Sequence, residues 1–337
     1  MIKQIRLKTR LNSKAMQTVL AFSSLVIIFL FFSVASPNFL SVPNLVNILN
    51  MTAVNGILAV GITFIIVSGG IDLSVGTVMV FSSVIAGVFL TNWGLPLPLG
   101  ILGGIAAGTL CGFANGLNVA YLKLPPFIAT LGMLNITRGL NLVVTNTKPI
   151  YFTDSEIFLK IATLPIPAGG IPVFIPGAGI RQMPIPLGAI IFFACALLGG
   201  FILSKTLIGR YCYAIGSNEE AARLSGINTK RWKVAIYSLS GAFCGVAGIV
   251  IASRIASAQP SLGPGYELDA IAAAVIGGAS LSGGQGRILG TVVGAFIITV
   301  LISGLRIMAV PQQWQMVITG VIILGAVYLD IVRRRGK

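Results

Sequence analysis

Apolar runs about twenty residues long follow one another along almost the whole of this chain, the length a helix needs to cross the hydrocarbon layer of a bilayer. Only 9% of the 337 residues are charged and 55% are hydrophobic, where a soluble domain carries about 25% charge. Such a chain folds as an all-α membrane protein, a polytopic bundle of about ten transmembrane helices, with no length left for a separate soluble domain. The expected spans are 16–36, 46–68, 73–91, 97–120, 126–145, 185–204, 232–253, 267–279, 287–305 and 313–332. The eighth is short and reads as a broken or re-entrant segment lodged within protein. The first follows a basic stretch, as in a signal peptide, but its apolar run at 15–34 exceeds the usual length of about 7–15 residues, and an uncleaved span is expected.

The net charge of +15 does not imply nucleic acid, because the basic residues gather at span ends. With the N-terminus in the cytoplasm, about seventeen of them fall in inner segments and about five in outer ones (Lys148, Lys160, Arg181, Arg254 and Arg306), as the positive-inside rule requires. Both termini are then cytoplasmic. The absence of histidine removes His-based metal sites and general bases, and neither a metal nor a catalytic residue is expected. Cys111, Cys195, Cys212 and Cys244 show no paired spacing and read as free buried thiols. The longest outer segment, 147–183, is rich in Pro and Gly without helical periodicity, and an ordered loop or short hairpin is expected there.

Glycine numbers 41, often beside other small residues as in Gly103-Gly104-Ile105-Ala106-Ala107-Gly108, which lets helix backbones approach closely in lipid. The segments GGIDLSVG at 69–76 and GGASLSGG at 277–284 match at five of eight positions. They form either an internal repeat or two glycine-rich turns of similar composition. Asp72, in the first of them, is read as an N-cap of the third span or as an ion-coupling carboxylate. The second overlaps LSGGQ at 281–285, the signature peptide of ABC-type ATPases. No GxxxxGK[ST] loop accompanies it, so a nucleotide triphosphate has no cradle, and the peptide reads as a chance identity in a tight turn.

Three constellations carry the functional argument. The segment 205–233 lies between spans, holds six basic residues and contains Asn218, Glu219, Glu220, Ala221, Arg223, Leu224, Ser225 and Gly226. Asn218 suits an N-cap, the two glutamates favour a helix start and Gly226 a helix stop. A helix of about two turns cannot stand alone and must pack on this protein or on a cytoplasmic partner. The amides and hydroxyls of Asn50, Asn55, Asn115, Asn118, Thr130, Asn135 and Asn141, with Arg138, suit the hydroxyls of a sugar and are candidates for a translocation path. Asn135, Arg138 and Asn141 recur at spacings of three, which places them near one face of the fifth span. Lastly, Gln259, Tyr266, Glu267 and Asp269 form an outer turn with two acids, read as helix-start charges or as a docking point for an external partner.

The strings GSNEEAARLSGI, SGGIDLSVG, SAQPSLGPGYELDAIAA and IGGASLSGGQGRILGT together resemble the permeases of bacterial ABC sugar importers, the ribose permeases and their relatives, over nearly the whole chain. The resemblance implies a type II importer-like fold with no cofactor of its own. It divides the chain into a cytoplasmic segment 1–15, a permease domain 16–332 with an external loop 147–183 and a cytoplasmic coupling loop 205–233, and a cytoplasmic tail 333–337. It further implies an inner-membrane location among lipids, a second permease copy, two ABC ATPase modules receiving the short helix, and a periplasmic or lipid-anchored binding protein that delivers a monosaccharide. A self-contained secondary transporter or channel for a small polar solute is the alternative, with Asp72 as its ion site.

Overall fold

The computed structural model describes residues 2–153, 155–176 and 179–335. Met1, Asp154, Gly177, Ala178 and the last two residues of the tail 333–337 lie outside them. In chain order the helices are α1 (Ile2–Ala35), α2 (Val42–Val67), α3 (Val75–Gly87), α4 (Leu97–Ala120) and α5 (Pro126–Thr145), with a π-helical continuation of α3 at Val88–Asn92. Strand β1 (Ile150–Tyr151), helix α6 (Glu156–Thr163) and the strands β2 (Pro165–Ile175) and β3 (Gly179–Pro186) follow. Then come α7 (Leu187–Lys205), α8 (Leu207–Ser217), α9 (Glu219–Leu224), α10 (Thr229–Ile255), β4 (Ser257–Ala258), α11 (Tyr266–Ile276), α12 (Ile288–Ile307) and α13 (Gln312–Arg335).

Each expected span is a helix, but among the described residues seven are long and apolar enough by themselves to cross a membrane: α2, α3 with its continuation, α4, α5, α7, α10 and α12. Helix α11 has 11 residues, about 16 Å of rise, roughly half a bilayer core.

Helix α2 is apolar on every side and buried on nearly every side, as a central helix must be. Around it stand α7, α10, α11 and α12. Helices α4 and α10 cross closely, because glycines replace side chains where they meet. A Cβ on Gly108 would lie 2.5 Å from the carbonyl oxygen of Gly241, and one on Gly245 would lie 2.6 Å from the Cα of Ile105. Backbones that approach so closely gain dispersion contact, the main attraction between helices in lipid.

Neutral hydroxyls tie the bundle internally. Thr63 and Thr291 share a hydrogen bond of 2.8 Å between α2 and α12, Thr52 and Thr299 one of 2.6 Å, and the Ser303 hydroxyl donates to Asn44 Oδ1 at 2.7 Å. Each hydroxyl satisfies itself without bringing a charge into the core.

The segment 147–183 departs from the sequence expectation. It contains β1, which pairs antiparallel with β4, and the hairpin β2–β3, but also the eight-residue helix α6. Eight residues are too few for a periodic signal, and α6 is fixed by packing: Phe158 is fully buried against Phe152, and Ser253 of α10 accepts from the amide of Ala162 at 2.9 Å.

Candidate functional site

At the end of the bundle opposite the hairpin, 205–233 is more built than its sequence suggests. Helix α8 was not expected. Its buried residues are Gly209, Cys212 and Ile215, a three-residue repeat that drifts around the helix and gives no single-face signal in the sequence. The Cys212 thiol donates to the carbonyl of Phe64 at 3.0 Å, and the Tyr213 hydroxyl donates to the carbonyl of Gly286 at 2.7 Å. Gly216 abuts the last turn of α2 and the 277–287 turn so closely that a Cβ would lie 2.7 Å from the amide of Gly284. Helix α8 thereby stands on both glycine-rich turns at once.

Helix α9 projects from this platform. The Asn218 side chain accepts from the amide of Ala221 at 2.9 Å and closes the helix start. Gly226 stands at φ +83°, and its amide and that of Ile227 return to the carbonyls of Arg223 and Ala222, a glycine-terminated helix end. Only Ala222 of α9 is buried. Leu224 is 75% exposed. Lys233 holds Glu219 at 2.7 Å, and Arg223 pairs with Glu220. The Arg223 hydrogen bond and charge hold the Glu220 carboxyl below its ordinary range. Among the described residues α9 is thus a short capped helix, charged on one side, presenting an exposed leucine.

The LSGGQ peptide lies in the turn beneath α8. The amide of Ser280 donates to the carbonyl of Gln285 at 2.9 Å, Gly283 and Gly284 both take positive φ, and the Gly284 amide donates to the carbonyl of Val67 at 2.8 Å. Its glycines serve a chain reversal against α2 and α8.

The loop before α3 corrects the capping assignment for Asp72. Helix α3 begins at Val75 with Ser74 as its N-cap residue. Asp72 Oδ1 accepts from the amide and hydroxyl of Ser74 at 2.7 and 2.6 Å, and Asn115 Nδ2 of α4 donates to the same hydroxyl at 3.0 Å. Asp72 closes a turn two residues short of the helix and, 4% exposed, faces neutral donors.

Of the polar set, Thr130, Asn115, Asn55 and Asn141 are buried. Thr130 Oγ1 accepts from the amide of Leu73 at 3.2 Å, Thr137 donates to Thr77 at 2.8 Å, and Asn141 Nδ2 donates to the carbonyl of Thr77 at 3.3 Å. These bonds form a polar seam from the 68–74 loop along α3 and α5. Asn135 and Arg138 do not share the face of Asn141: both are exposed, on the side of α5 away from α3. A three-residue step turns the helix back by about 60°, so two steps carry the side chains about 120° around it. Asn118 and Asn50 are half-buried, the latter under the hairpin beside Gln182.

The acidic turn divides as well. Gln259 Nε2 donates to the Ser257 hydroxyl at 3.3 Å, and Glu267 Oε1 accepts from the Gly265 amide at 3.0 Å at the start of α11, while its Oε2 is turned inward. Tyr266 and Asp269 line a cavity beside α2.

The bundle thus holds a buried polar seam, the half-length helix α11 and a short exposed helix standing on α8. Residues 44–327 match the profile of a family described as "Branched-chain amino acid transport system / permease component". The chain belongs to that family. Among curated relatives, the permease is 41% identical over 313 residues to the "Ribose import permease protein RbsC" of Haemophilus influenzae, covering 92% of each chain. It is 42% identical to the protein of the same name from Bacillus subtilis, over 94% of this chain and 93% of that one. It is 37% identical to the "Xylose transport system permease protein XylH" of Escherichia coli, over 96% and 94%. No solved structure matches. The permease is therefore a multi-pass membrane protein whose relatives are transport components, not enzymes.

Proposed function

We propose that this permease is the membrane-spanning subunit of a binding-protein-dependent ABC importer in a bacterial inner membrane. It carries a monosaccharide, ribose-like first, and a separate ATPase subunit hydrolyses the ATP. The observation that carries this reading is α9: a capped helix of six residues with one buried side chain, held clear of the bundle by α8. It meets the bundle through α8, its buried Ala222 and the Lys233–Glu219 ion pair, which leaves Glu220, Arg223 and Leu224 exposed for a partner, and a partner that pushes on it moves α8 and, through Gly216, both glycine-rich turns. Two copies of the permease dimerise, both termini are cytoplasmic, and all ten helices of the expected spans sit at membrane depth, α11 as a half-length one. The seam through Asn115, Thr130 and Asn141, together with the exposed face of α5, supplies the polar path. The hairpin end, with Gln259 and Tyr266, receives the binding protein.

Reversing both acids, Glu219→Lys with Glu220→Lys, tests the ATPase docking. Glu220 is exposed and Glu219 half-exposed beside a partly buried Lys233, and ion pairs at such a surface add little to stability, so the variant should stay folded. Co-purification with the ATPase should fall at least tenfold. Undiminished co-purification overturns the assignment of α9.

A further inference from the structure

The cavity that holds Tyr266 and Asp269 is more than a docking rim. It has a volume of about 650 Å³, within the range of small-molecule sites, and opens at the hairpin end between α2, α11, α12 and α13. Arg254 and Arg306, from the ends of α10 and α12, line it with Gln315 and Thr319 of α13. Arg254 Nη2 donates to Asn47 Oδ1 at 3.0 Å. Asn55 stands two turns further along α2, about 12 Å deeper at 1.5 Å per residue. It is 5% exposed, and its Oδ1 is buried with no hydrogen-bond partner. A buried amide oxygen without a donor destabilises the protein, and a donor entering the cavity offsets that. Among the described residues neither arginine nor Asp269 has an ion-pair partner.

We infer that this cavity is a binding site for a single neutral polyol, a monosaccharide in its ring form, within one permease copy. Asn55 accepts from one sugar hydroxyl at the deep end. Arg254 and Arg306 donate to hydroxyl or ring oxygens near the mouth, and Asp269 accepts from a hydroxyl across from them. Hydroxyls are donors and acceptors at once, so a sugar satisfies an amide, guanidinium groups and a carboxylate together. The site gives the solute a waiting place inside the protein before the path between copies is reached. It rests on the monosaccharide reading above and adds the residues that read the hydroxyls.

The test uses the full-length permease in lipid nanodiscs, with D-ribose, D-xylose and L-leucine as probes in saturation-transfer NMR. Saturable transfer to one of the two sugars is expected, reduced at least fivefold in Asn55→Leu and in Asp269→Leu and unchanged in Leu197→Ala on the outer face of α7. A second readout stands apart from the folding of those variants. In a chain with Cys111 and Cys195 replaced by alanine, Thr319→Cys should react with a polar maleimide at least twofold more slowly when the sugar is present. No saturable sugar signal, a signal indifferent to Asn55→Leu in a folded variant, labelling that sugar does not slow, or saturable L-leucine in place of sugar each overturns the assignment. ATP-driven uptake by the reconstituted assembly separates the two readings. Ribose or xylose uptake without sugar contact in the cavity removes this site alone, whereas uptake of neither sugar removes the monosaccharide reading itself.

Discussion

At the scale of single residues, Asp72 decides between an ATP-driven permease and a carrier coupled to an ion gradient. Its Oδ1 accepts from the amide and hydroxyl of Ser74, and the Ser74 hydroxyl in turn accepts from Asn115. An amide at position 72 keeps an acceptor oxygen in the same place, so Asp72→Asn should hold the turn and leave ATP-dependent uptake within about twofold of wild type. Asp72→Leu strands the Ser74 amide and hydroxyl, and the loss of about 1–3 kcal/mol for a buried unsatisfied group should appear as a lower unfolding temperature in detergent. Uptake lost in Asp72→Asn at an unchanged unfolding temperature would show instead that the charge itself is used, and would favour coupling to protons or another ion. The same neighbourhood explains one glycine. A Cβ on Gly70 would lie 2.6 Å from the Tyr237 hydroxyl, so the loop carrying Asp72 closes over α10 only if that position has no side chain.

At the scale of elements, the bundle depends on the crossing of α4 and α10. Val at position 108 would drive a branched side chain into the Gly241 carbonyl, 2.5 Å from where its Cβ belongs. Overpacking of this kind costs about 1–3 kcal/mol where neighbours can shift, and a backbone shifts less than a side chain. Gly108→Val should lose its monodisperse peak in fluorescence-detected size exclusion, while Gly325→Val, on α13 with nothing within 4 Å, should keep it. Equal behaviour of the two variants would mean that the close crossing is not what holds these helices. The spans themselves were legible in the sequence because length and apolarity are properties a single run carries. Helices α6 and α8 were not, because eight and eleven residues are helical through what they pack on: Phe158 on Phe152, Cys212 on the carbonyl of Phe64. The cap of α9 was legible residue by residue from Asn218 to Gly226, since capping is local. The cavity was not, because Asn55, Arg254, Asp269 and Thr319 come from four helices and share no spacing. The face of α5 was misread for a simpler reason: a three-residue repeat drifts around a helix, whereas the buried stripe Thr130, Met133, Thr137 and Asn141 follows three- and four-residue steps.

At the scale of the molecule, that correction points outward. Asn135 and Arg138 are exposed near the middle of a helix long and apolar enough to span the membrane. Facing lipid, the arginine alone would cost about 2.5–3.5 kcal/mol even on lenient scales. Asn135 partly relieves itself by donating to the Leu131 carbonyl of its own helix at 3.1 Å, whereas Arg138 has no ion pair among the described residues. The dimer proposed above would cover this face if its two α5 helices lined a shared path, which would bring a second copy and water to it together. Closed two-fold symmetry brings each α5 opposite its own copy. With the four native cysteines replaced by alanine, Asn135→Cys and Gly139→Cys should each yield a dimer band with a short bifunctional maleimide in membranes, and Leu197→Cys on the lipid side of α7 should yield none. Cross-linking through Leu197→Cys but not through α5 would place the partner on the other side of the bundle. Arg138 and Asn135 would then need a different cover, and the polar path would have to be sought within one copy, beginning at Asn55.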